Sequence, residues 1–452
     1  PDGSAPNYLI QSTGGMLYGT TGLGGAEHSG VLFRLAGSGT ADVLHEFPFR
    51  DRSLFSTILP GGADTAPTLM EASDGNFYGT TFGIGSNHGG TLFRAMPAGE
   101  YVDLVNFYGL VNGAQPLAPP IQASDGALYG STVFHGIFVD DSGGSVYRST
   151  PGGELATVHV FNQYDEGNRV AAALIEGTDG ALYGTGARGG QGNSGNSGTV
   201  FKTTTDGSSV TVLHSFSGAD GAGPVAPLIQ ASDGNFYGTT FAGGPADLGT
   251  VFRVNPSGGF TLLHTFNGAD GANPSAAVIQ ASDGNLYGVT QGGGAHGLGA
   301  VFRVTLGGAF QLMHSFDGTD GERPSRRLIQ GSDGHLYGTA ERGGPGGGGV
   351  VFRLIDVSCE DTLTLSYAGG TLNLGFHIRS AVPSLWTNWL VTTGAVVPLW
   401  SLPIPPVSRG VDFNVPIPQF PHLGYVGVLT ILANPQVQAV CGDWKIVNTG
   451  TP

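Results

Sequence analysis

Leu228-Ile229-Gln230-Ala231-Ser232-Asp233-Gly234-Asn235-Phe236-Tyr237-Gly238-Thr239-Thr240 decides the fold. It reads as an apolar strand, a tight turn and a second strand. Gly and Asn accept the positive φ that a two-residue hairpin needs. The Tyr-Gly pair recurs at Tyr18, Tyr78, Tyr129, Tyr183, Tyr237, Tyr287 and Tyr337, at intervals of 60, 51, 54, 54, 50 and 50 residues. Seven copies at a period near fifty residues are the signature of a repeat architecture.

Outward from that phrase, each copy divides into four short strands. In the fifth copy, strand a is Pro227-Leu228-Ile229-Gln230 and strand b runs from Phe236 to Thr240. A Gly-rich b–c loop leads to strand c, Thr250-Val251-Phe252-Arg253-Val254. A Ser-Gly-Gly turn then leads to strand d, Thr261-Leu262-Leu263-His264-Thr265-Phe266. Four strands of period-two pattern with no helical stretch predict one blade of a β-propeller. A parallel β-helix uses shorter coils and lacks such regular hairpins. The chain is therefore expected to be all-β, a seven-bladed β-propeller over 1–354. Its blades are expected near 1–47, 66–107, 117–161, 171–216, 225–266, 275–316 and 325–354. Blades pack face to face, so their strands should be buried on both sides. Small residues should let blades approach, and the repeated Tyr and Phe should fill the wedge between them.

Strand d occurs six times, ending at Phe47, Phe107, Phe161, Phe216, Phe266 and Phe316. Blade seven needs a fourth strand from elsewhere. Three sources fit: a segment upstream of residue 1, the stretch from Thr362 to Tyr367, or a neighbouring subunit pairing with an open edge.

Residues 355–452 differ in character. All four Trp lie here (Trp386, Trp389, Trp400 and Trp444), as do the two cysteines, Cys359 and Cys441. The alternation around Gly369-Gly370 is a hairpin signal. This region is expected to be a β-sandwich of Ig-like type, with Cys359 and Cys441 joining early and late strands and with Trp386 and Trp389 in its core. A structural disulfide implies export to an oxidising compartment.

Charge narrows the partners. The chain has 18 Lys and Arg against 34 Asp and Glu, a net charge of −16. That balance repels phosphate backbones and anionic lipid, so no nucleic-acid partner is expected. No apolar run approaches the ~20 residues of a membrane span. The expected location is extracellular or at the cell surface.

Internal repetition separates structural residues from candidates for function. His45, His159, His214, His264 and His314 share one strand-d position. They are read as hydrogen-bonders tying strand d to neighbouring backbone. Arg34, Arg94, Arg148, Lys202, Arg253, Arg303 and Arg353 share one strand-c position and are read as architectural. Asp in the a–b hairpins and in the d–a loops is read as turn capping. The loop Asp317-Gly318-Thr319-Asp320-Gly321 resembles a calcium loop only loosely, since its closing Glu is missing.

The non-repeated set, His28, His88, His135, Arg188, His296 and Arg342, falls in b–c loops. These six are the candidate ligand-binding residues. Three readings compete for them: a glycan site, a lyase site in which Arg neutralises a uronate carboxylate, or solvated loop positions. No Ser-His-Asp order, Cys nucleophile or phosphate loop is evident, and no catalytic residue, metal or cofactor is assigned.

The repeated phrase, followed by Gly-Gly, Gly-Thr-Val-Phe-Arg and Leu-His-Ser-Phe, resembles the bacterial tandem-repeat family called GloVer over residues 1–354. The resemblance implies export and surface display, and it carries no established activity. The function expected is a secreted or surface-displayed, non-enzymatic binding or assembly module. Self-association would use the open blade-seven edge or the C-terminal domain. The alternative is a carbohydrate-active protein, either glycan-binding or a polysaccharide lyase.

Overall fold

The computed structural model describes residues 4–356 apart from loop stretches, namely 24, 27–29, 36–40, 48–67, 83–88, 110, 136–142, 163–164, 191–195, 326, 332–333, 345–346 and 348. Beyond 356 it describes the backbone of the strands named below. The chain is an all-β seven-bladed propeller, with no helix among the described residues. It divides into two compact units, Pro1–Arg353 with Val447–Pro452, and Leu354–Ile446.

Blade five shows the unit. Its strands are Ile229–Gln230, Phe236–Thr240, Thr250–Val254 and Phe260–Thr265, hydrogen-bonded in sequence order. Strands b and c keep the bounds read from the sequence, and strand a is shorter. Strand b is buried at every position, and strand c at all but its basic residue. Strand d is half-buried at every position but one, as befits the outer edge of a blade. Asp233 fixes the a–b turn: its Oδ1 accepts the Asn235 N–H at 3.1 Å and its Oδ2 accepts the Tyr237 hydroxyl at 2.7 Å.

Blades are joined by the repeated aromatics. Phe216 at the end of one blade meets Phe252 of the next, with ring centroids 5.1 Å apart. Phe161 meets Phe201 at 4.6 Å, and Phe266 meets Phe302 at 5.3 Å. Aromatic pairs at such separations add to the burial of their area. A second tie was not anticipated. The strand-a Gln or Glu reaches back to the a–b turn of the preceding blade. Gln122 Oε1 accepts the Ser73 N–H at 2.7 Å, and the Glu176 carboxylate accepts the Ser124 N–H at 2.8 Å and its hydroxyl at 2.6 Å. Gln230, Gln280 and Gln330 repeat the bond to Thr178, Ser232 and Ser282.

The Tyr-Gly glycine acts inside a blade, and not between blades as its small size suggested. Gly238 lies directly opposite Phe252 in the sheet. A Cβ there would sit 2.6 Å from Phe252 Cζ and 2.8 Å from Leu228 Cδ2. The missing side chain is the space in which the strand-c ring lies.

Blade seven corrects the expected closure. Its strands Ile329–Gln330, Leu336–Arg342 and Val350–Asp356 are completed by Trp444–Asn448, which is hydrogen-bonded to Val350–Asp356. The stretch Thr362–Ala368 pairs instead with Thr371–Ile378. The physical reason is local: Thr362–Ala368 is one arm of a hairpin closed at Gly369-Gly370, and an adjacent partner costs less loop entropy than a distant one.

The second unit contains two three-stranded antiparallel sheets. One orders Thr362–Ala368, Thr371–Ile378 and Val411–Ile417. The other orders Trp400–Ile404, Leu385–Thr392 and Val426–Leu432. Cys359, Cys441 and the Trp side chains lie outside the described residues.

Candidate functional site

The two ends of the propeller carry different polar groups. At the a–b turn end, the strand-c cation joins the turn. Lys202 Nζ lies 2.7 Å from Asp179 Oδ2, whose carboxylate also accepts the Tyr183 hydroxyl at 2.8 Å. Arg148 Nε donates to the Tyr129 hydroxyl at 3.2 Å. Burial first, then the Asp partner, pushes Tyr78 and Tyr237 up to about 12. Burial raises the turn carboxyls too, but hydrogen bonds from Asn76 and Tyr78 outweigh it and hold Asp74 below its ordinary value. These groups serve the fold, as the repetition of the basic position predicted.

The strand-d histidines are also structural, but four of them are partnered by carboxylates and not backbone, and His45, whose Nε2 has no partner, stacks on Tyr101. His214, His264 and His314 place Nε2 at 2.9, 3.0 and 2.6 Å from Asp220, Asp270 and Asp320. His159 makes the same bond to Glu166 at 2.9 Å. His214 and His264 stack on Phe260 and Phe310 of the next blade, with centroids 3.6 Å apart. The Asp residues cap their loops as expected: Asp320 Oδ1 accepts the Asp317 N–H at 3.0 Å. Asp317 in turn accepts from Thr319 at 2.8 Å, so the loop is a capped turn.

This arrangement sets a pH dependence. Burial lowers His45, His214 and His264 below the ordinary value of 6.5, against the opposing pull of nearby carboxylates. A lowered histidine is neutral in the folded state, while its unfolded counterpart takes a proton at higher pH. Stability is therefore full above the unfolded value and falls as pH drops through the lower folded values. The melting temperature should decline between about pH 7 and 5, with these imidazoles titrating below 6.5 in an NMR titration. Midpoints at or above that value would remove the histidines from the account.

The other end carries the d–a and b–c loops, which pair with one another. Ala114 bridges Phe134, Asn168 bridges Arg188, and Glu322 pairs with Arg342. Just after the first partner stands a residue with positive φ: Gln115 at 60°, Arg169 at 53°, Gly223 at 63°, Asn273 at 57° and Arg323 at 56°. Glycine fits this backbone freely, as in blade five, whereas long side chains adopt it at a cost. Asn273 has a local reason, because its Nδ2 donates to Phe241 O at 3.0 Å.

The basic residues follow the same division. Residues 1–354 contain fifteen Lys and Arg, seven of them at the strand-c position. The other eight, Arg50, Arg52, Arg169, Arg188, Arg323, Arg326, Arg327 and Arg342, all belong by sequence to d–a or b–c segments.

Of the candidates, His135 and Arg188 stand on neighbouring blades, three and four. Arg169 of blade four joins them, its guanidinium carbon 6.0 Å from the centre of the Phe134 ring on blade three. His135 is half-buried, its Nδ1 has no hydrogen-bond partner, and burial lowers its pKa. Arg342 lies exposed on blade seven and His296 exposed on blade six. His28 and His88 lie outside the described residues. Gln115 and Asn168, which the sequence reading missed, have buried side-chain oxygens without a partner, and Gln115 is only 5% exposed. The signal that could have found Gln115 is a long polar residue before the Pro that opens a blade, where another copy has Gly.

Fold and site together define a repeat-built propeller whose d–a and b–c loop end carries unrepeated polar residues, three of them with buried polar atoms that have no partner. The chain belongs to the Gloeobacter/Verrucomicrobia repeat family, which matches residues 5–196 and 191–372. No curated protein matches its sequence. Among solved structures it is similar to puromycin hydrolase at 12% identity and a TM-score of 0.49, covering 83% of this chain. The chain spans 58% of the length of that enzyme. It is also similar to a gluconolactonase from Xanthomonas campestris at 15% identity and a TM-score of 0.38, over 63% of this chain and 83% of that one. A third is dipeptidyl peptidase 4 from Porphyromonas gingivalis, at 12% identity and a TM-score of 0.43, over 84% of this chain and 57% of that one. No activity is carried over from them.

Proposed function

We propose that this protein is an exported, non-enzymatic binding module whose d–a and b–c loop end holds a glycan. The observation that supports this is the set of unrepeated polar groups at that end: Gln115, His135 and Asn168 hold buried polar atoms without partners. Buried polar atoms ordinarily find partners, and a ligand can supply them. In this reading residues 355–446 form a β-sandwich stapled by a Cys359–Cys441 disulfide, as suits an exported protein.

An assembly role has one observation in its favour. Blade seven is closed by a strand from a distant segment, and such a strand can be exchanged between copies.

The test is retention on a panel of immobilised neutral and acidic polysaccharides, with light scattering on the same sample. Retention without release of cleaved or unsaturated sugar is the expected result. Release of unsaturated uronate would replace the binding reading with a lyase. Failure to bind any glycan, from a monomer, would sink both the binding and the assembly forms.

A further inference from the structure

We infer that the loop end of blades three and four is a subsite for an acidic saccharide, with a uronate carboxylate on Arg188 and hydroxyls on Gln115, His135 and Asn168. The inference rests on the binding reading above and gives it a place and a chemistry.

Two observations point to this loop end. The first is the set of unfilled polar atoms: Gln115 Oε1, His135 Nδ1 and Asn168 Oδ1 are buried and have no partner. The two amide oxygens need donors, and the imidazole nitrogen needs a partner of either kind. A sugar hydroxyl donates and accepts at once, and neighbouring ring hydroxyls can serve several such groups. The second is charge. Asn168 is bridged to Arg188, whose guanidinium makes no hydrogen bond to the described residues. Arg169 stands beside it over the Phe134 ring. A planar guanidinium matches a carboxylate with two parallel bonds. On a chain of net charge −16, a local pair of arginines selects an anionic group against the general field.

The backbone that presents these side chains is paired. Gln115 N–H donates to Gly89 O of blade two at 2.7 Å, and Asn168 and Arg188 exchange backbone bonds at 2.8 and 3.2 Å within blade four. The side chains are presented from paired backbone, so ligand binding orders little.

The experiment is calorimetric titration of the full chain with galacturonate and mannuronate oligomers and with their carboxyl-reduced neutral counterparts. Binding of an acidic oligomer, weakened about tenfold or more by carboxyl reduction, is expected. Arg188→Gln should weaken it by about the same factor. Gln115→Gly should also weaken it while leaving the melting temperature unchanged or raised, since glycine relieves the positive φ. A purely structural Gln115 would instead lower the melting temperature on substitution, and that result overturns the subsite. Equal affinity for acidic and neutral oligomers overturns it too, as does binding that Arg188→Gln leaves untouched. If no acidic oligomer binds but the polysaccharide panel retains the protein, the subsite fails and the binding reading stands.

Discussion

Deleting Trp444–Asn448 is expected to open blade seven and to destabilise the propeller more than any single substitution in a loop. The strand occupies the fourth place in that blade, hydrogen-bonded to Val350–Asp356. A five-residue strand makes about four or five backbone bonds, each contributing roughly 1 kcal/mol net, so the loss is roughly 4 kcal/mol. The exposed edge adds a second effect, because unpaired N–H and C=O groups form a template for another chain. The deleted protein should melt well below the full chain and should form soluble oligomers or precipitate on warming. Supplying a peptide of residues 444–448 fused to a solubilising partner should restore part of the loss. A deletion variant that keeps its melting temperature and stays monomeric would mean that another segment closes the ring.

The second large effect is expected at Gly238. Replacing it with Ala puts a methyl group 2.6 Å from Phe252 Cζ and 2.8 Å from Leu228 Cδ2. Phe252 is fully buried and meets Phe216 of the preceding blade and Phe260 of its own. The ring therefore cannot move aside without disturbing a blade interface. Overpacking of this kind costs about 1–3 kcal/mol. The melting temperature of Gly238→Ala should fall by several degrees, at about 2–4 °C per kcal/mol for a domain of a few hundred residues. Trimming the ring in the double variant Gly238→Ala, Phe252→Leu should cost less than the two changes summed, because they share one space. Strict additivity would show that Gly238 is there for another reason, such as the approach of a neighbouring blade. The same contact recurs at Gly288 against Phe302, at 2.4 Å, so the test can be repeated in a second blade.

Much of this protein is legible in one repeat. The Asp-Gly turn, the strand-b burial and the basic residue on strand c follow from periodicity and turn chemistry, which act over a few residues. Seven copies of that local pattern suffice to predict the ring. Comparison between copies also marks the strand-d histidines and strand-c cations as parts of the fold. Their positions in the structure agree, although the carboxylates that hold the histidines stand six residues on, in a loop that the strand pattern does not describe.

The rest is decided by contacts between segments far apart. Arg169 looks like an ordinary loop residue until blade four sets it against Phe134 of blade three. Gln115 shares its backbone angle with its counterparts and is set apart by an unfilled buried oxygen, which depends on what packs around it. The closing strand is the clearest case. Several segments have the β pattern to complete blade seven, and the choice of Trp444–Asn448 depends on which of them is already paired elsewhere. Local sequence determines what each blade is, because strand, turn and burial are short-range preferences. Only the tertiary structure decides where the ring closes and which unlike residues meet at its loop end, because those are competitions among distant partners.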